Sequence, residues 1–78
     1  SEVMYKKDVM DILAQFPDEA KILQSEEDVM SVYGTELYQQ LFEFFQEDMP
    51  YGTQKARDGD PVDYINNELD ELGLLEAA

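Results

Sequence analysis

Carboxylates make up most of the chemically active side chains of this 78-residue chain. Nineteen Asp and Glu stand against five Lys and Arg, which gives a formal net charge of −14, and the chain contains no His, Cys or Trp. The commonest general base and the thiolate nucleophile are therefore missing. Paired carboxylates could do acid–base work only in a desolvated pocket, and a domain of this size has little interior to spare. We expect a protein that is not an enzyme and needs no cofactor.

Three aspartates that lie close together in the sequence raise the alternative of a metal site. Asp58, Asp60 and Asp63 carry the oxygen ligands that Ca²⁺ prefers. If a calcium-binding loop began at Asp58, its third ligand position would be Val62. Its twelfth position, which requires a bidentate Glu, would be Leu69. Asp60 is better explained as a helix cap, and we predict no metal site.

Acidic and basic residues are segregated along the chain. No Lys or Arg occurs between Lys21 and Lys55, and none follows Arg57, although acids are frequent in both stretches. Like charges four apart on a helix cost about a few tenths of a kcal/mol per pair, and alternating Glu with Lys would remove that cost. The pattern therefore favours a role for the acids other than stability. The acids predicted to contact a partner are Glu36, Glu43, Glu47, Asp48, Asp58, Asp63, Asp70 and Glu71.

One interpretation of this pattern is that the acids imitate a nucleic-acid backbone. Duplex DNA carries one negative charge per ~1.7 Å of its axis, so fourteen charges correspond to about 24 Å of duplex, close to the width of a small domain. Such a DNA mimic would bind stoichiometrically to the basic, nucleic-acid-binding surface of a partner protein and inhibit it. A phage or a mobile element could encode an inhibitor of this kind.

The alternative is a helical adaptor or assembly module. In that case an apolar helix face would complete a homodimer or a larger complex, and the acids would only keep the protein soluble. The two hypotheses differ in their expected salt dependence. Binding through carboxylates should weaken steeply with salt, whereas binding through an apolar face should depend on exposed Phe or Leu side chains.

Aromatic residues are the predicted anchors of an interface. Tyr is favoured at interfaces because it combines apolar area with a hydroxyl group. Helical spacing places Tyr5 and Tyr38 on core faces. Tyr51, in a predicted loop, and Tyr64, beside an apolar stripe, are the better candidates for partner binding.

Composition also bears on location and on direct ligands. A net charge of −14 repels nucleic acids and anionic lipid surfaces, so we expect neither to be bound directly. No apolar run approaches the ~20 residues that span a bilayer. The absence of Cys is typical of a reducing compartment, which favours the cytoplasm. Monomer and homodimer both remain open.

Helical periodicity predicts the elements that position these residues. Apolar residues recur at three- and four-residue steps over 3–15, and Pro17 should stop that helix and start a short second one through Leu23. Ser25, followed three residues later by an acid, predicts the cap of a third helix that begins at about Glu26. We expect a break at 34–35, where a Gly and a Thr are adjacent.

The second half of the chain is predicted to hold the central helix and one more. The central helix should end before Pro50 and Gly52, and 49–60 reads as a loop. A last helix is predicted over 61–72, with Gly73 as its left-handed stop, followed by a frayed end at 75–78. The chain is thus predicted to be one all-α domain, a small compact bundle of three to five short helices. The apolar face of the central helix consists of Leu37, Tyr38, Leu41, Phe42, Phe44 and Phe45.

Overall fold

Helices account for the regular structure of this protein, and the prediction of a small all-α bundle is confirmed. The structure, a computed structural model, describes residues 2–46 and 61–75. Those residues contain no β-strand, and none of their helices is long and apolar enough to cross a membrane. The elements are α1 (Glu2–Gln15), α2 (Pro17–Glu26), the 3₁₀ helix η1 (Val29–Val32), α3 (Glu36–Gln46) and α4 (Pro61–Glu71).

The boundary between α1 and α2 lies where Pro17 was predicted to place it. Phe16 leaves the helical region, with φ −131° and ψ 67°, and Pro17 occupies the first turn of α2. The Phe16 carbonyl then accepts the Ala20 N–H at 2.8 Å, so α2 starts at once. α2 continues to Glu26, three residues beyond the predicted end at Leu23.

The predicted third helix is not an α-helix, and its predicted cap was wrong. Ser25 lies inside α2, which ends because Glu27 adopts a left-handed conformation with φ 55°. The cap that follows is Asp28, whose extended backbone lets its carboxylate accept the Met30 N–H at 2.9 Å. Only the short η1 forms after it.

The predicted break at 34–35 is confirmed. Gly34 has φ +85°, a left-handed conformation that ends the η1 segment. Thr35 then caps α3, because its Oγ1 accepts the Tyr38 N–H at 3.2 Å. α3 turns Leu37, Leu41 and Phe45 completely away from solvent, as the apolar spacing predicted.

The core lies where all the helices meet. α1 packs on α2 and α3, α3 packs on α4, and η1 packs on α2, α3 and α4. Phe45 is fully buried, with the rings of Tyr5 and Tyr64 centred 5.9 and 6.3 Å from its own. Tyr5 also joins α1 to α4, because its hydroxyl donates to Glu68 Oε1 at 2.7 Å. The buried side chains are Val9, Leu13, Ala20, Leu23, Val29, Val32, Leu37, Leu41, Phe45, Val62, Ile65, Leu69, Leu74 and Leu75.

The end of α4 is a Schellman motif, as predicted. Gly73 has φ +73°, its N–H donates to the Asp70 carbonyl at 3.0 Å, and the Leu74 N–H donates to the Leu69 carbonyl at 2.9 Å. Leu69 and Leu74 are both buried. The predicted fraying is wrong at Leu75, which is only 6% exposed because the Schellman turn directs the chain back onto the core. The predicted cap Asp60, the predicted loop 49–60 and residues 76–78 lie outside the described residues.

Replacing Gly73 with Ala should destabilise the protein by about 1 kcal/mol, because an L side chain disfavours the left-handed conformation. A Cβ at this position would meet nothing within 4 Å, so the cost comes from the backbone alone. Urea denaturation measures the loss. The Gly73→Asn variant is the control and should lose less, since Asn tolerates this conformation better. Equal stability of the Ala variant and the parent would contradict the assignment.

Candidate partner-binding surface

The acids of α3 that were predicted to bind a partner are exposed. Glu36 and Glu43 are seven residues apart, two helical turns on the same face, which separates them by about 10 Å along the axis. Gln40 is exposed between them. Glu43 accepts a hydrogen bond from Gln39 Nε2 at 2.8 Å, so its neighbour is a neutral amide rather than a cation.

α4 carries a second acidic stripe. Asp63 and Asp70 are also seven residues apart and exposed, with the exposed Asn67 between them, and Glu71 extends the stripe to the end of the helix. The remaining predicted site residues, Glu47, Asp48, Tyr51 and Asp58, lie outside the described residues.

Few cations accompany these acids in the part of the chain that the structure describes. Its basic residues are Lys6, Lys7 and Lys21. Within residues 2–46 and 61–75 the one ion pair joins Lys7 Nζ to Asp11 Oδ2 at 3.3 Å, on the exposed surface of α1. The described carboxylates of α3 and α4 therefore have no ion-pair partner among these residues, and all of them except the half-buried Glu68 are exposed.

Exposed carboxylates are not confined to α3 and α4. Asp8 and Asp11 are exposed on α1, and Asp18 and Glu26 on α2. Exposure alone therefore does not single out one binding face, and the arrangement of the acids relative to each other has to do so.

The structure brings acids from two elements together at one cleft. The cleft has a volume of about 360 Å³ and lies between the α2–η1 junction and α4. Asp70 was predicted as a site residue, whereas Glu27 and Asp28 were not. Their only signal in the sequence is membership of an acidic run before η1. The lining residues are Glu27, Asp28, Asn66, Asn67, Asp70 and Leu75.

Asn66 fixes the geometry of this cleft. Its Oδ1 accepts the Val29 N–H at 2.7 Å, and its Nδ2 donates to Asp28 Oδ1 at 2.9 Å. The same carboxylate oxygen accepts the Met30 N–H. The backbone N–H of Met30 and then the Asn66 amide hold the pKa of Asp28 below its usual 3.8, because both hydrogen bonds favour the charged form. The slight desolvation of the exposed carboxyl opposes them.

The hydrogen bond that Asn66 accepts from the Val29 N–H gives a prediction for the free energy of unfolding. Replacing Asn66 with Ala should cost about 1–3 kcal/mol, because the N–H of the fully buried Val29 loses its acceptor. Asn67→Ala, at the exposed neighbouring position on α4, is the matched control and should stay within about 0.5 kcal/mol of the parent in urea denaturation. Similar losses in the two variants would show that the Asn66 side chain does not hold η1 on α4.

The hydrogen bond that Asn66 donates to Asp28 gives a prediction for the pKa of that carboxyl. Because the folded pKa of Asp28 is lowered, its contribution to stability is present above pH 3.8 and is lost as the pH falls through the lower folded value. An NMR titration of the Asp28 carboxyl carbon should show this low pKa in the parent and a shift back towards 3.8 in Asn66→Ala. An unchanged pKa in the variant would contradict the hydrogen bond to Asn66.

The cleft does not form a metal site. The described residues contain no group of three carboxylates placed to share a metal ion. Two of the three Asp residues considered for calcium, Asp58 and Asp60, lie outside the described residues, and Asp63 is exposed on the first turn of α4.

The tyrosines are arranged partly as predicted. Tyr5 and Tyr38 pack against the core, which confirms that expectation. Tyr64 is half-buried with its ring edge-on to Phe45, so a role in partner binding stays a prediction. The prediction missed Tyr33, which is 62% exposed and lies with its ring 4.8 Å from that of Tyr38. Its helical spacing from Val29 and Val32 assigned it to the predicted third helix, which forms only as the short η1 and ends before Tyr33.

Comparison of the chain with protein families, with curated proteins and with solved structures gave no match.

Proposed function

We propose that this protein is a non-catalytic, stoichiometric inhibitor that occupies the basic nucleic-acid-binding surface of a partner protein. The observation that carries the proposal is the arrangement of Glu36 with Glu43 and of Asp63 with Asp70, each pair two turns apart on one of two packed helices and without a cation partner among the described residues. The acids imitate the charge of a phosphate backbone. The inhibitor acts in the cytoplasm and is of the kind that a phage or a mobile element could encode.

The dimensions of the molecule support this proposal. Its longest dimension is 32 Å, and fourteen duplex charges at ~1.7 Å each occupy about 24 Å. The pairs on α3 and α4 place carboxylates about 10 Å apart along two packed helices. A basic groove that accepts a duplex would therefore meet spaced carboxylates along either helix, and long-range attraction would speed association.

Capture at controlled salt tests the proposal. The full chain is immobilised and incubated with lysate of the source organism at about 50 mM salt, and bound protein is eluted either with salt up to about 200 mM or with duplex DNA. We expect a nucleic-acid-binding protein that both eluents release. A captured protein that resists salt and is not displaced by duplex DNA would rule out backbone mimicry.

A second candidate is the adaptor module that binds through an apolar face. Leu37, Leu41 and Phe45 of the apolar face of α3 are buried in the core, and the other members of that face are half-buried against it. The observation in its favour is the exposure of Ile22, Met30 and Tyr33, at 50%, 54% and 62%. The same elution experiment separates the two candidates, because apolar contacts would survive the increase in salt.

A further inference from the structure

A groove whose surface is mainly apolar lies between α2 and η1. The α2–η1 groove has a volume of about 580 Å³. The apolar residue of its lining is Ile22, half of whose surface is exposed. The residues that line the groove are Asp18, Lys21, Ile22, Ser25 and Glu26 from α2, and Ser31 from η1.

The order of the lining residues along α2 specifies what could bind there. Asp18, Ile22 and Glu26 follow one another at four-residue intervals, so they lie along one face of α2. One apolar side chain is thus flanked by a carboxylate one turn before it and another one turn after it. A complementary ligand has an apolar side chain with a cation one helical turn away on either side.

Charge selects among the possible occupants of the groove. A second copy of the chain would bring another fourteen negative charges, and a nucleic acid or an anionic lipid surface would be repelled in the same way. We propose that the α2–η1 groove binds a basic amphipathic helix of a partner protein, whose apolar side chain covers Ile22 while its Lys or Arg residues pair with Asp18 and Glu26. This inference rests on the proposed function and adds an apolar anchor to its electrostatic attraction.

Removing the charge of Lys21 is expected to change the affinity for a basic helix in a characteristic direction. It lines the same groove and opposes a basic ligand, so the net charge of the lining is one negative unit, with two carboxylates against one ammonium group. Replacing Lys21 with Gln should therefore tighten binding of a basic helix by about twofold. Weaker binding by this variant would overturn the proposal.

The test uses the full chain and two synthetic peptides. The first is an alanine-based helix of about 18 residues whose central Leu has a Lys one turn before it and one turn after it, and the second carries Ser in place of that Leu. We expect the Leu peptide to shift the ¹H–¹⁵N amide signals of 18–26 and 29–32. The Ser peptide should bind about tenfold more weakly, because the contact with Ile22 is lost.

Two matched pairs of variants locate the binding. Ile22→Gln should weaken the Leu peptide about tenfold, whereas Met10→Gln, at a residue of α1 that is 49% exposed, should change it less than twofold. Glu26→Gln should weaken it about threefold, whereas Asp8→Asn, at an exposed carboxylate of α1 outside the predicted site, should have little effect.

The outcomes separate this inference from the proposed function. Equal binding of the two peptides, equal effects within either pair of variants, or shifts confined to α4 would overturn the groove as a docking site. The proposed function would survive those results if the captured protein is still released by salt and DNA. Release by neither eluent would instead remove the proposed function, whatever the peptides do.

Discussion

Replacing Phe45 with Ala is expected to destabilise the protein by about 3–5 kcal/mol. Phe45 is fully buried, and its ring lies 5.2 Å from that of Phe44 and 5.9 Å from that of Tyr5. The substitution removes the buried ring surface and leaves a cavity at the place where α1, α3 and α4 meet. Domains have only about 5–15 kcal/mol of stability, so much of it should be lost.

Urea denaturation followed by far-UV circular dichroism measures this effect. Ile22→Ala is the control, because half of the Ile22 side chain is exposed, and we expect it to cost under about 1 kcal/mol. A loss below about 1 kcal/mol for Phe45→Ala would show that Phe45 is not the packed centre of the bundle.

Reversing the charges of Glu36, Glu43, Asp63 and Asp70 to Lys should weaken binding of the captured partner by about a hundredfold. Each substitution replaces an attraction of a few tenths of a kcal/mol by a repulsion of similar size, which for four exposed side chains sums to about 2–3 kcal/mol. All four side chains are exposed, so the fold should be retained. Titration of the purified partner measures affinity, and circular dichroism checks folding. Unchanged affinity in a folded variant would exclude these acids from the interface.

A smaller pair of variants controls for net charge. Asp63→Asn with Asp70→Asn and Asp8→Asn with Asp11→Asn both raise the net charge from −14 to −12. We expect the pair on α4 to weaken binding about fivefold and the pair on α1 to change it less than twofold. Equal effects would mean that overall charge, and not the stripe on α4, governs binding. The salt dependence should become shallower only with the α4 pair.

The sequence predicted a helix boundary correctly wherever that boundary depends on the backbone conformation of one or two residues. Pro17 constrains the residue before it, and Gly34 and Gly73 adopt left-handed conformations that other residues disfavour. The buried face of α3 was equally predictable, because it follows from the helical period alone.

The sequence did not identify the correct helix cap where two candidate caps lie within a few residues of each other. Ser25 and Asp28 are both plausible caps, and the outcome depends on the Asn66 side chain, 38 residues from Asp28. That side chain holds both Asp28 and the Val29 N–H, so tertiary contacts favoured a 3₁₀ turn over an α-helix. Leu75 is similar, since its burial requires the rest of the core to be in place.

The sequence by itself determined the helical class, the main boundaries, the excess of carboxylates and the absence of His and Cys chemistry, because composition and the helical period are properties of the chain. Only the tertiary structure placed Asp70 beside Glu27 and Asp28 and opened a groove around Ile22. Neighbours of this kind depend on how helices cross, and crossing is decided by the packing of side chains that lie far apart along the chain.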